Sequence, residues 1–296
     1  MDMDMNGLNN RITLRNGVNM PILGYGTMPV AWGVEPGEDF VQTLEFVISK
    51  GYRNIDTAVV YNTEKAVGKA VRQSVQANVV SREDLFISTK LWNTDRGYDR
   101  TMKAFDASME RLGLDYLDLY LIHTPAVELW HKDWREINLS TWRAFEHLYK
   151  DGRIKAIGVS NFLPHHLQAL MDEAEILPMV NQIEVPPGFN SAETLNFCQK
   201  HEIAVEAWGP FGNGQILSDD KLQSIAARYG KSVAQICLRW LLQKGIVPLP
   251  KSCNEKRIIE NTLIFDFELS EADMRLLDEI PPCGGFCVDA DNAPED

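Results

Sequence analysis

Short apolar runs recur along this chain at intervals of about one strand and one helix, and this rhythm restricts its fold more than any other feature. The runs span residues 21–25, 52–55, 85–89, 116–122, 154–159, 179–183, 203–207 and 246–249. Most end on a residue with chemistry to offer. Asp56, Lys90, His123 and Ser160 close four successive runs and lie 34, 33 and 37 residues apart. One strand and its crossover helix take about that length. Helical stripes fill the gaps. Phe40, Leu44, Val47 and Ile48 precede Gly51, and Met102, Phe105, Met109 and Leu112 precede Gly113. Trp142, Phe145, Leu148 and Tyr149 precede Gly152. Each glycine is a stop signal after a stripe of helical period.

Near-continuous apolar strands are those of a parallel sheet buried on both faces. Eight of them alternating with helices predict an α/β fold, the (β/α)8 TIM barrel. A doubly wound sheet is the alternative, but no G-x-G-x-x-G opens a helix, which counts against it. Residues 11–20, RITLRNGVNM, read as an N-terminal hairpin with Asn16-Gly17 as a type I′ turn. Residues 270–279 read as an extra C-terminal helix capped by Ser270 with Asp273. The expected organisation is one domain: a disordered tail over 1–10, hairpin and barrel over 11–280, and a loose Gly/Pro/acid-rich tail over 281–296.

The 29 Lys and Arg against 42 Asp and Glu give a net charge of −13. Such a surface repels nucleic acid and anionic membranes, so an anionic ligand needs a local basic site. No apolar run approaches the ~18 residues of a membrane span. MDMDMNGLNN lacks the apolar segment of a signal peptide. Five irregularly spaced cysteines, Cys198, Cys237, Cys253, Cys283 and Cys287, argue against a disulfide framework and for a reducing, cytoplasmic setting.

In a barrel, strand C-termini converge on one face. Asp56, Lys90, His123, Ser160, Gln182, Trp208 and Lys251 all fall there. Taken singly, Asp56 reads as a capping carboxylate, Tyr61 as a rim aromatic and His123 as a satisfied core histidine. Together they compose a proton-donating site. Tyr has an ordinary pKa of ~10 and needs help to give up its proton. An ammonium from Lys90 lowers that value, Asp56 keeps Lys90 charged, and His123 orients a substrate oxygen. The connections over 124–139, with Trp130, His131 and Trp134, and over 209–217 are longer than a barrel needs and shape a site.

GYRNIDTAVVYNTE (51–64), ISTKLW (87–92), LYLIHTP (119–125) and GVSNF (158–162) together resemble the aldo-keto reductase family, from about Gly24 to Asn261. The resemblance implies a tetrad of Asp56, Tyr61, Lys90 and His123, with Tyr61 as general acid in NADPH-dependent reduction of aldehydes and ketones. It implies that Ser160, Asn161 and Gln182 hold a nicotinamide carboxamide and that Trp208 stacks on the ring. PKSCNEKRIIEN (250–261) resembles the adenosine-phosphate site, with Lys251, Ser252, Arg257, Glu260 and Asn261; its cations suggest a 2′-phosphate, hence NADP(H). Gly26, Thr27, Gly209, Pro210, Phe211 and Gly212 complete the implied cofactor site. Met28, Trp32, Trp92, Trp130 and Trp134 are expected pocket walls beside Tyr61 and His123. A small carbonyl compound is the expected partner of a monomer that needs no metal. Two positions depart from the family pattern: Pro186 stands where His is usual, and Thr63 where Asn is usual. A short C-terminal tail predicts an open pocket. The rivals are a non-catalytic NADP-binding regulatory barrel and a metal-dependent barrel hydrolase, the latter short of strand-end histidines.

Overall fold

Of the 296 residues, the computed structural model describes 7–29, 33–127, 132–189, 191–281, 285–286, 289–291 and 293. Cys283, Cys287 and residues 1–6 of the expected N-terminal tail lie outside the described residues.

The apolar runs become eight parallel strands in chain order. They are β3 (Gly24–Gly26), β4 (Asn54–Asp56), β5 (Phe86–Leu91), β6 (Leu117–Ile122), β7 (Ile154–Ser160), β8 (Val180–Glu184), β9 (Ala204–Trp208) and β10 (Ile246–Pro248). Crossover helices cover them: α1 (Glu38–Ser49), α2 (Glu64–Gln76), α3 (Tyr98–Leu112), α4 (Trp134–Lys150), α5 (Pro164–Met171) and α6 (Ala192–Lys200). Two helices, α7 (Asp220–Tyr229) and α8 (Val233–Gln243), fill the last crossover, and α9 (Glu255–Glu260) follows β10. The architecture is the (β/α)8 TIM barrel. Its sheet is almost closed. Among the described residues, one backbone hydrogen bond joins the first barrel strand to the last, from Gly26 N to Pro250 O at 3.0 Å. A Cβ on Gly24 would meet the Leu249 side chain there.

The hairpin forms from β1 (Arg11–Thr13) and β2 (Asn19–Pro21). It lies across the barrel floor: Arg11 donates to Asp84 O just before β5, and Asn16 Nδ2 to Lys155 O in β7. Its turn differs from the type I′ expectation. Leu14 pairs with Val18 across a three-residue loop, and Gly17 is left-handed (φ 86°) while Asn16 is not. A type I′ turn needs both residues left-handed. Asn16 is instead drawn to Lys155, and a turn with a glycine bulge results. The apolar run at 21–25 is likewise split, since Pro21 ends β2 and β3 begins at Gly24. At the other end α10 (Glu271–Asp278) is capped as expected, with Ser270 Oγ accepting from Asp273 N at 3.2 Å. Among the described residues no helix is long and apolar enough to cross a membrane.

Candidate active site

Register brings the strand ends together. Asp56 pairs with Ser88, Ser160 with Gln182, and Gln182 with Glu206. Lys90, at the end of β5, points its ammonium at both Asp56 oxygens, 2.8 and 2.6 Å away, and at Thr57 O, 3.1 Å away. Ser88 and Gln182 also donate to Asp56. Tyr61 ends the 3₁₀ turn Val59–Tyr61, and its hydroxyl lies 3.5 Å from Lys90 Nζ. The His123 ring stands edge-on to Tyr61 and Trp92, with centroids 5.8 and 5.1 Å away.

Burial alone would lower the Lys90 pKa, but Asp56 above all outweighs it and raises the ammonium. Burial also pushes the Tyr61 phenol above its ordinary value, and Asp56 adds to this. The charge and hydrogen bond of Lys90 act in the opposite direction without prevailing. The expected lowering of Tyr61 is therefore corrected: its neighbour is present, but desolvation wins. His123 is held well below its usual range, first by burial and then by the Lys90 and Arg96 cations. Tyr61 and the neutral His123 thus face the pocket with protons to share.

Behind the tetrad stands a group that the sequence reading missed. Glu206 is fully buried and accepts from Asn54 Nδ2 and Gln182 Nε2, each at 2.9 Å. Desolvation, with Asp56 nearby, raises its pKa to about 7. Gln182 spends its amide N–H groups on Asp56 and Glu206, leaving its buried Oε1 without a partner.

The tetrad opens on a pocket of about 160 Å³ lined by Met28, Tyr61, Trp92 and His123, with Ser160, Asn161 and Gln182 at its base. Asn161 donates to His123 O and accepts from Trp208 Nε1. Trp208 borders a larger cleft of about 760 Å³. Gly26, Asp56, Gly209, Pro210 and Phe211 wall it together with Lys251, Ser252, Arg257, Glu260 and Asn261. Thr27 and Gly212 lie buried behind that wall rather than on it. Thr63, the first departure, bridges the hydroxyls of Thr27 and Thr57 at 2.8 and 2.7 Å. Pro186, the second, opens a tight turn closed by Phe189 N at 3.1 Å and leaves Gln182 in place. Trp32 and Trp130 lie outside the described residues. Trp134 is no pocket wall: it opens α4, and its ring packs on His166 of α5, with centroids 4.8 Å apart.

The tail supplies further walls. Phe286 donates its N–H to Glu184 Oε1 at 2.8 Å and borders both cavities, its ring centroid 5.8 Å from that of Trp208. Ala293 pairs with Val127 and also lines the pocket. Asp291 Oδ1 lies 2.7 Å from His165 Nε2 and 3.0 Å from His166 Nε2. Phe286 and Ala293 thus add to the pocket wall.

The sequence profile of the Aldo/keto reductase family matches residues 22–281. The chain is 50% identical over 270 residues to an uncharacterised oxidoreductase, YtbE, of Bacillus subtilis, covering 91% of this chain and 92% of that one. It is 49% identical over 273 residues to a glyoxal reductase of the same organism, covering 92% and 93%. The crystal structure of a Bombyx mori aldo-keto reductase in complex with NADP superposes with a TM-score of 0.83 at 36% identity, over 91% of this chain and 92% of that one. A barrel with Asp56, Tyr61, Lys90 and His123 gathered at one mouth, matched over this length, belongs to the aldo/keto reductase family.

Proposed function

We propose that the protein reduces aldehydes and ketones with NADPH, and that Tyr61 is the general acid. The observation that carries this reading is the buried line from Asp56 through Lys90 to Tyr61, ending beside a neutral His123 in a pocket that adjoins a long cleft. The cleft suits a dinucleotide phosphate. Lys251 and Arg257 line it and, among the described residues, have no carboxylate within 4 Å, in a chain of net charge −13. At the other end the unpartnered Gln182 Oε1 fits an amide N–H donor. Ser160, Asn161, Gln182 and Trp208 would hold the nicotinamide, and Lys251, Ser252 and Arg257 the phosphate end. When bound, the cofactor supplies the hydride that reaches the carbonyl carbon. Tyr61 then gives its proton to the carbonyl oxygen as negative charge develops there. Lys90 stabilises the phenolate left behind, and His123 fixes the oxygen by hydrogen bonding. A steady loss of NADPH absorbance with methylglyoxal or benzaldehyde tests the reading. Tight NADPH binding without turnover would mean a regulatory barrel instead.

Arg257→Ala separates the phosphate contact from the rest. A hydrogen bond to a charged group is worth roughly 1.5–3 kcal/mol, and ~1.4 kcal/mol is tenfold in affinity. Arg257 is exposed and partly screened, so the expected loss in NADPH affinity is about tenfold. NADH lacks the 2′-phosphate and should bind as before. Kd values for both cofactors check this; an equal loss for both would remove Arg257 from the selectivity site.

A further inference from the structure

A buried arginine beside the pocket has no counter-charge among the described residues. Arg96 follows the short turn after β5 and is fully buried. One Nη donates to Asn138 Oδ1 on α4, the other to the main-chain oxygen of Thr124, and Nε has no partner. Among the described residues no carboxylate lies within 4 Å of it. Several other buried charges are paired. Lys90 has Asp56, Glu64 has Arg111, and Asp118 has Arg82 and Lys155. Arg239, also deep, lies in the field of Glu268 and Asp266. Burying an unpaired ion is costly, so such groups ordinarily bring a partner with them. Burial lowers the Arg96 pKa only to about 9, which leaves it charged at neutral pH.

The charge sits one residue behind the pocket wall. Thr124, whose carbonyl takes the Arg96 hydrogen bond, donates its hydroxyl to Asn93, and both residues line the pocket next to His123. Both cations act on His123, Lys90 more strongly than Arg96, but Lys90 is paired with Asp56, whereas Arg96 brings its charge to this wall without such a partner among the described residues. In a chain of net charge −13, attraction for an anionic substrate must come from local cations such as this one.

We propose that Arg96 is a specificity-determining residue that favours carbonyl substrates bearing a carboxylate next to the reacting carbonyl, the 2-oxo acids. This rests on the carbonyl-reductase reading above. The reducible oxygen meets Tyr61 and His123, and the neighbouring carboxylate lies towards Asn93 and Thr124, where the guanidinium supplies the counter-charge without direct contact.

Pyruvate and butane-2,3-dione have nearly the same shape and differ in charge, and butanone lacks the second oxygen. The test is kcat/KM with NADPH for all three in wild type, Arg96→Met and Arg96→Lys. Partial misfolding scales all substrates alike, so the pyruvate-to-dione ratio reads charge alone. Across several ångströms at an effective dielectric of about 20, loss of the charge should lower that ratio on the order of tenfold in Arg96→Met. Arg96→Lys, which keeps a charge, should restore most of it. An unchanged ratio in a folded Arg96→Met overturns the proposal. Should that variant not fold, inhibition of wild type decides: oxamate on the order of tenfold tighter than its neutral ethyl ester supports the proposal, and equal inhibition overturns it. Turnover of the dione and butanone without charge sensitivity sinks this inference alone. Turnover of none of the three, nor of any aldehyde, sinks the reductase reading and this inference with it.

Discussion

Tyr61→Phe should lower kcat by roughly 10²–10⁴, the usual worth of a positioned general acid, while NADPH binds nearly as tightly as before. In the proposed mechanism the phenol gives the proton, and the Lys90 ammonium 3.5 Å away would stabilise the charge left behind. Its ring does other work that phenylalanine preserves. Lys90 Nζ lies 4.8 Å from the ring centroid, and the ring also packs edge-on to His123. The pocket should therefore keep its shape, and Lys90 remains paired with Asp56. Burial holds the Tyr61 proton firmly at neutral pH, so wild-type reduction should show no loss of activity from premature ionisation of this group below pH 9. The measurements are kcat and cofactor Kd on a variant whose circular dichroism matches wild type. Turnover within a few-fold of wild type would assign the proton to another donor.

Glu206→Gln should stabilise the protein, and only in one range of pH. The ordinary carboxyl value is 4.5, and in the folded protein it is about 7. Between these values the folded chain holds a proton that the unfolded chain has released. Stability therefore falls as pH rises through this window, is untouched below 4.5, and carries the full cost above 7. At 1.36 kcal/mol per pH unit the cost is roughly 3 kcal/mol. Glutamine removes it while keeping the shape. It still accepts one of the two incoming amides, and a turned Asn54 side chain, whose Oδ1 is now unpartnered, takes its new N–H. The gap between variant and wild type in denaturant unfolding should then widen by roughly 3 kcal/mol from pH 4 to pH 8. A gap that stays constant across that range would mean that Glu206 is ionised at little cost.

That second residue also marks where reading the sequence stops. Asp56, Lys90, His123 and Ser160 announce themselves because each ends an apolar run, and a polar side chain at such an end has few reasons to be there. Glu206 and Asn54 fall inside short strands, where one polar letter among apolar ones reads as noise. Their importance comes from the barrel register, which sets Gln182 beside Glu206. Arg96, within WNTDRG, looks like an ordinary solvated loop residue. It is buried by α4, whose Asn138 is 42 residues away. The tail is composed like a disordered segment, and that composition gives no sign of the contacts its described residues make with Glu184, Val127 and the α5 histidines. The Asn16-Gly17 pair misleads for the same reason: local turn preference yields to a bond with Lys155, 139 residues on.

The near-open joint between β3 and β10 bears on how the empty and loaded enzyme differ. Seven neighbouring strand pairs share a ladder, and this joint has the one bond from Gly26 to Pro250. The long cleft straddles it, with Gly26 on one lip and Leu249 and Lys251 on the other. A dinucleotide held there, as proposed, would span both lips and act as a clasp on a ring that the backbone leaves nearly unfastened. Local opening in a native protein concentrates where few hydrogen bonds resist it. The amide of Gly26 should then exchange with deuterated solvent well before those of β6 and β7, and should slow sharply once the cofactor is in place, since a ligand of the folded state alone suppresses the open one. The barrel would breathe at the place its coenzyme enters, and the act of loading would finish the cylinder.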